Sequence, residues 1–345
     1  MQTPFKSCRH FFLCIASSFR WIPVIALLVS GLCIAQAQTP TVKPLRLAST
    51  PWSPFTNGPG KAHFALDLVH AALDRAGITA STTIVEEGKL TPALLKGDYD
   101  GSAALWKDAE REKTLLYSQP YLENRLILVG RKGLDVSATK LTAPALKGKK
   151  IALVETYAYG DEIKNSSGPI YVKSASEEDS ISKVISNDVG YTLLDELVVE
   201  YILKNYPDQA KKYLAFGSTP LIVRTLHFAV RKDLPGAAAI IDKFNSELHA
   251  LVADRTYNKL LQLDWIQADV DGQTVNIPSN DQAGLNPPDH TYKLSSESDS
   301  KGSTGFYVGG KVYQNWSTVP DQFKLAGPND TLSGGTKFSI FSFKF

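Results

Sequence analysis

The chain has 345 residues, of which 43% are hydrophobic and 21% charged, with 37 basic side chains against 35 acidic ones. This is globular composition, long enough for two domains and too evenly charged for disorder. A net charge of +2, mixed along the chain without a basic stripe, gives no reason to expect a nucleic-acid partner.

The N-terminus reads as a secretory leader. Lys6, Arg9 and Arg20 flank an apolar run from Ile22 to Ala35, and Ala35-Gln36-Ala37 supplies the small residues of a cleavage site. Residues 1–37 are therefore expected to be a cleaved signal peptide, with the mature chain beginning at Gln38 and a periplasmic localisation. The run is shorter than the roughly 20 residues that span a bilayer, although an uncleaved anchor recruiting Phe11 to Ile15 is the alternative. Leu32 before Cys33 disfavours lipidation. All three cysteines (Cys8, Cys14 and Cys33) lie in the leader, which leaves the remainder without a disulfide, a thiolate metal site or a cysteine nucleophile. Its stability must come from core size.

Beyond the leader, short apolar runs alternate with segments of helical period, the pattern of parallel strands joined by helices. Strands are predicted at Leu45 to Ser49, Leu126 to Gly130, Ile151 to Val154, Tyr191 to Leu194 and His227 to Val230. Leu66, Val69, Leu73 and Ala76 share one helical face, as do Ile241, Phe244, Leu248 and Leu251. The fold class is α/β. Leu128 to Lys132 echoes Phe228 to Lys232, too briefly for a repeat but consistent with two strands crossing between lobes.

Near residue 267 Gly, Ser, Asn, Asp and Pro begin to dominate, so turns and a polar linker are predicted, including Pro287-Pro288 and the tract Ser295 to Ser300. Phe306 to Tyr313 and Lys337 to Phe345 read as strands of a separate piece. The segment after Asp269 is too short for a single-chain barrel of at least eight strands of about ten residues.

Common enzyme signatures are absent: no H-x-x-x-H pair, P-loop, G-x-S-x-G or dinucleotide fingerprint. Asp269-Val270-Asp271-Gly272 opens like a calcium loop, but Gln273 and Thr274 follow, so a tight Asx turn is the expectation. Glu177-Glu178-Asp179 reads as a solvated helix start. No cofactor and no metal are expected.

In open α/β sheets ligands bind beyond the carboxyl ends of strands. Three such ends carry suggestive side chains: Trp52 and Phe55 after the first strand, Glu155, Thr156 and Tyr157 after Ile151 to Val154, and Asp195 after Tyr191 to Leu194. The competing readings are a hydrophobic lid on the core for the two aromatics and a helix N-cap for Asp195.

Asp100-Gly101-Ser102 through Arg111, then Tyr117-Ser118-Gln119-Pro120-Tyr121, resemble the bacterial extracellular solute-binding proteins of family 3. Phe64 to Leu68, Tyr159-Gly160-Asp161 and Phe228 to Asp233 are similar to further family motifs, in family order from about Leu45 to Trp265. The resemblance implies a two-lobed, hinged fold of the periplasmic-binding-protein type (type II). Lobe 1 would comprise residues 38–132 and 232–268 and lobe 2 residues 133–231, with a β or irregular C-terminal extension over 269–345. It further implies that Arg111, six residues before Tyr117, binds a ligand carboxylate, in keeping with the bidentate fit of a guanidinium. The alternative for Arg111 is an exposed charge among Glu110, Glu112 and Lys113. By the same resemblance Asp195 takes the ligand ammonium, and Glu155 or Thr156 occupies the turn that offers backbone N–H groups. Trp106 and Asp108 depart from the small hydroxyl residue and the threonine usual in amino-acid binders, which implies a smaller, more aromatic or differently polar cleft.

The implied function is non-enzymatic: capture of a small polar solute, an amino acid or related carboxylate, by hinge closure for an ABC importer, with the protein a monomer. A ligand-gated sensory or envelope interaction protein is the alternative. A periplasmic dehydratase on the same scaffold, with Glu155 or Asp108 as acid or base, is a third.

Overall fold

The computed structural model describes residues 43–270, 272–281, 287, 292–293 and 305–324. The leader, Ser295 to Ser300 and Lys337 to Phe345 lie outside the described residues.

The first half contains β1 (Leu45–Ser49), α1 (Phe64–Arg75), β2 (Ala80–Ile84), α2 (Leu90–Lys96), β3 (Gly101–Trp106) and β4 (Leu115–Tyr117). The long strand β5 (Leu122–Arg131) leads to the second half, β6 (Lys150–Val154), α3 (Asp161–Asn165), β7 (Ile170–Ser174), α4 (Glu177–Ile185), β8 (Tyr191–Asp195), α5 (Glu196–Asn205) and α6 (Pro207–Tyr213). The 18-residue strand β9 (Leu214–Arg231) returns to the first half, which α7 (Ala237–Ala253) and α8 (Thr256–Leu261) complete.

These strands form one nine-stranded sheet of order β2-β1-β3-β9-β5-β8-β6-β7, with β4 paired to β9. β1 is parallel to β2 and β3, and β6 to β7 and β8, as the alternation of strands and helices predicts. The sheet is nevertheless mixed: β5 and β9 are antiparallel to each other and to their other neighbours. The echoed segments are thus parts of two adjacent strands that run between the halves, Leu122 opposite Leu226 and Arg131 opposite Leu214.

Each half is layered by the two-residue period of its strands, shifted once in β3 by an irregularity between Ser102 and Leu105. Leu47, Ala103 and Trp106 join the main core with Leu66, Val69 and Leu73 of α1 and Phe244, Leu248 and Leu251 of α7. Ala48, Leu105 and Leu115 face the other side, where they pack with Leu90 and Leu94 of α2. The apolar spacing read for α1 and α7 therefore marks the buried stripe that holds these helices on the sheet.

A second sheet follows, of order β12-β10-β11-β13-β14, built from β10 (Trp265–Val270), β11 (Gln273–Pro278), β12 (Tyr292–Lys293), β13 (Gly305–Val308) and β14 (Lys311–Tyr313). Where polar composition predicts turns and linker, Trp265 to Pro278 form a hairpin. Ile266 and Ala268, then Val275 and Ile277, alternate inward into the main core. The Gly272 N–H donates to Asp269 Oδ1 at 2.9 Å, a side-chain bond three residues on rather than the two of the expected Asx turn. Phe306 to Tyr313 is two strands rather than one, because Gly309 and Gly310 both have positive φ and make the two-residue turn between them. The extension also bonds to α8: Asn258 Nδ2 donates to Ile277 O at 3.3 Å, and Arg255 pairs with Asp281 at 2.9 Å. Among the described residues no helix is long and apolar enough to cross a membrane.

Candidate ligand-binding site

The carboxyl ends of β1, β2, β3 and β6 converge on one cavity of about 310 Å³, lined by residues of both halves of the sheet. That volume lies at the small end for ligand pockets, which start at about 300 Å³. Trp52, Trp106 and Tyr157 supply aromatic walls, and Glu87, Asp108 and Arg111 supply the charge.

Arg111 sits on a single 3-10 turn, Arg111–Lys113, just beyond β3. Asp108 builds that turn by accepting the backbone N–H groups of Glu110 and Arg111 at 2.9 and 3.0 Å. Its other oxygen lies 3.1 Å from Arg111 Nε, which also donates to Thr91 Oγ1 at 3.0 Å. The guanidinium is therefore buried, only 9% exposed, rather than a surface charge among its neighbours. One terminal nitrogen reaches Trp106 O at 3.4 Å and the other Thr156 O at 3.5 Å, the second contact crossing from one half of the sheet to the other.

The aromatics form a connected cluster. Trp52 meets Phe55 at 4.3 Å between ring centroids, Trp106 at 5.5 Å and Tyr157 at 5.9 Å, and Trp106 meets Tyr157 at 5.5 Å. Edge-to-face pairs at these separations are favourable beyond their burial. Two polar contacts bridge the same gap: Trp52 Nε1 donates to Glu177 Oε1 at 2.9 Å, and Thr156 Oγ1 donates to Glu87 Oε2 at 2.9 Å. Glu177 opens α4 beside its N-cap Ser176, yet it is buried, contrary to the solvated helix start read from its three acids. Removal from water and the nearby Glu178 charge push its carboxyl well above the usual range.

Of the residues singled out in the sequence, Trp52, Trp106, Arg111, Thr156 and Tyr157 line the cavity; Phe55, Glu155 and Asp195 do not. Phe55 is a fully buried support behind Trp52. Glu155 is exposed and accepts a bond from Lys173, which turns it away. Asp195 is the N-cap of α5: its Oδ1 accepts from Leu197 N at 2.8 Å, and its Oδ2 from Arg125 N at 3.0 Å and Asn124 Nδ2 at 3.1 Å. The resemblance implies an ammonium partner at this position; here Asp195 is buried off the cavity lining, and both of its oxygens accept bonds from within the protein. Burial raises its pKa to about 7 against the pull of those donors. Asn124 in turn accepts from Trp106 Nε1 at 2.8 Å, so Asp195 positions a cavity wall from two residues away.

Sequence reasoning missed Glu87, Thr91, Asn124 and Glu177. Glu87 sits in the turn after β2, a strand whose residues alternate between exposed and half-buried without one fully buried apolar side chain, so the sequence does not mark its end. Among the described residues no group of three or more His, Cys, Asp or Glu side chains is arranged to hold a metal ion.

A sheet of two halves joined by antiparallel crossing strands, with a cavity at the strand ends between them, defines a periplasmic-binding-protein fold carrying an additional C-terminal β-sheet. Residues 48–268 match the bacterial extracellular solute-binding proteins, family 3, and the chain belongs to that family. It is 25% identical over 199 residues to ABC transporter arginine-binding protein 1 of Escherichia coli (strain K12), covering 57% of this chain and 79% of that protein. Among solved structures, an ancestral arginine-binding protein bound to arginine superposes with a TM-score of 0.54 at 24% identity, over 64% of this chain and 96% of that one. A double mutant of the BvgS VFT2 domain of Bordetella pertussis does so with a TM-score of 0.52 at 18% identity, over 63% and 91%.

Proposed function

We propose that the protein captures a small zwitterionic solute, an amino acid or a close carboxylate relative, by closing its two halves about the cavity, and delivers it to an ABC importer without chemical conversion. The observation that carries this reading is Arg111, a buried guanidinium on the wall of a cavity of about 310 Å³, turned toward it by Asp108 and Thr91. Two terminal nitrogens with long, weak backbone contacts are the donors a ligand carboxylate would take over. Trp52, Trp106 and Tyr157 would enclose the rest of the molecule, and the Escherichia coli relative's name supports an amino acid as ligand. Residues 1–37 would act as the export signal that takes the chain to the periplasm. Closure follows the usual linkage: a ligand that touches both halves only when they are together shifts the equilibrium toward the closed form.

Thermal unfolding of the purified protein against L-amino acids, polyamines, short peptides and organic acids tests this. A ligand at a thousand times its dissociation constant adds about 4 kcal/mol to stability. A midpoint shift with one amino-acid class, absent in Arg111→Ala, is the expected result; no shift with any zwitterion overturns it.

A sensory reading has one observation in its favour. The halves are already bridged by Trp52–Glu177 and Thr156–Glu87, so the closed form does not depend on a solute to hold it. In that case the closed surface would be read by a receptor partner rather than an importer.

A further inference from the structure

The carboxylates and threonine hydroxyls on the cavity lining are already committed. Asp108 accepts two backbone N–H groups through Oδ1 and lies 3.1 Å from Arg111 Nε through Oδ2. Glu87 accepts from the Thr156 hydroxyl at 2.9 Å and from the Thr50 side chain, and its Oε1 is shut off from water. The Thr91 hydroxyl accepts from Arg111 Nε, and Asp195 stands off the lining altogether. A primary ammonium brings three N–H donors, and each one buried without a partner costs free energy. A nitrogen whose hydrogens are replaced by methyl groups keeps its charge and makes no such demand.

The walls suit a group of that kind. Trp52, Trp106 and Tyr157 meet pairwise at 88°, 64° and 80°, with centroids 5.5 to 5.9 Å apart, so they stand as three steeply inclined walls of one cavity rather than as a stack. A cation lodged against all three can lie within the distance of about 6 Å from each centroid at which ring faces attract positive charge. Both indole N–H groups bond to residues outside the lining, Trp52 to Glu177 Oε1 at 2.9 Å and Trp106 to Asn124 Oδ1 at 2.8 Å, so the tryptophans offer the cavity ring carbon in fixed orientations. These walls are tied to the guanidinium. One terminal nitrogen of Arg111 reaches the Trp106 carbonyl at 3.4 Å, and the other reaches that of Thr156, the neighbour of Tyr157, at 3.5 Å.

Resting on the solute-binding reading above, we propose that the ligand is a carboxylate whose positive end is a methylated onium nitrogen, held on the faces of Trp52, Trp106 and Tyr157 while Arg111 takes the carboxylate. Recognition of this cation needs no acceptor, which accounts for a cleft in which Asp108, Glu87 and Asp195 all serve the protein instead.

Calorimetric titration of the purified protein tests this with glycine, β-alanine and γ-aminobutyrate, each unmethylated and N-mono-, di- and trimethylated, beside the common L-amino acids. Affinity is expected to rise with methylation on at least one backbone, by about 10- to 100-fold from primary amine to trimethylated nitrogen, the sum of two or three ring contacts. The uncharged isostere of the tightest binder, with carbon in place of nitrogen, should bind about tenfold more weakly. Tyr157→Leu keeps apolar bulk and removes one ring face, so it should weaken the onium ligand by about 2- to 30-fold and leave the isostere within about twofold. An unchanged thermal midpoint verifies folding of that variant, and where it fails to fold the comparison of ligand with isostere in wild type decides alone. An isostere as tight as the onium ligand, equal losses for both in Tyr157→Leu, or an unmethylated amino acid bound at least as tightly as every methylated one overturns the onium site and leaves the solute-binding reading standing. Absence of binding by every zwitterion overturns the reading itself.

Discussion

Trp52 and Glu177 are 125 residues apart in sequence and meet across the cavity through one 2.9 Å hydrogen bond from the indole to the carboxylate. Trp52 follows β1 in the first half and Glu177 begins α4 in the second, so this bond exists only when the halves are together. It is a latch made of the protein's own side chains.

Trp52→Phe keeps the aromatic packing and removes the donor. A hydrogen bond between neutral groups contributes about 0.5–1.5 kcal/mol net, so the ligand-free protein is expected to shift toward open forms by roughly 2- to 10-fold. Small-angle scattering or fluorescence transfer between labels on the two halves would register the change; an unaltered distribution would assign the bond no part in closure. Protons should act on the same latch. The Glu177 carboxyl is pushed well up by burial in the closed form, so closing takes up a proton and is favoured at low pH. This contribution is lost as pH rises through the closed-form pKa, and Glu177→Gln should flatten the dependence while keeping an acceptor for Trp52.

Asp195 is expected to matter for stability and not for ligand contact. Asp195→Ala removes the α5 cap and strands the donors of Asn124 and Arg125, at a cost of about 2–4 kcal/mol in chemical unfolding. Ligand affinity of the folded fraction should remain within a few-fold of wild type. A hundredfold loss there, with stability unchanged, would return Asp195 to the binding site.

His227 gives a pH effect of opposite sign to that of Glu177. Its ring nitrogens lie 2.8 Å from Ser118 O and 2.8 Å from Thr225 Oγ1, and burial lowers its pKa to about 4 from an ordinary 6.5. An imidazole kept neutral in the fold contributes stability that is whole above about pH 6.5 and is lost as pH falls toward 4. Carbon-13 NMR of the labelled ring should show His227 uncharged at pH 5.5; a midpoint near 6.5 would contradict the burial argument.

Ile277 tests whether the extra sheet is part of the same core. It is fully buried, on β11 opposite Ile266, in a cluster that includes α7 and α8. Ile277→Ala should cost about 2–5 kcal/mol in the single unfolding transition of the whole chain. A separate low-temperature transition, with the main one unmoved, would mean that the extension folds by itself.

Periodicity made much of this architecture legible in advance. β1, β6, β8, α1 and α7 carry runs or stripes of large apolar residues because each is buried, and burial writes itself into sequence. β2, with Ala80-Ser81-Thr82-Thr83-Ile84, lies at the sheet edge, and the hairpin of β10 and β11 sends only alternate residues, Ile266 and Ala268 with Val275 and Ile277, into the main core. Their signals are correspondingly faint. The site divides in the same way. Arg111 and the tryptophans stand out by residue type and motif, whereas Glu177 depends on a partner 125 residues away and Glu87 on a strand that composition conceals. A cap and a ligand carboxylate look alike at a strand end, as Asp195 does, until its hydrogen bonds are counted.

β5 and β9 join the two halves by continuous pairing rather than by loose connections. Their register slips twice, between Leu126 and Ile127 and again before Val129, on either side of the pair formed by Ile127 and Pro220, whose ring nitrogen can donate nothing to the ladder. Close by, a side chain at Gly217 would come within 2.9 Å of Val136 O and 3.1 Å of Leu128 O, so the backbones there are already pressed together. Any separation of the halves must therefore be taken up as twist in a laminated ribbon, stiff along its paired lengths and compliant at the slip. The restoring torque of such a ribbon would be a fixed property of the scaffold, set outside the cavity lining and open to tuning at residue 220 without altering a single residue that lines it.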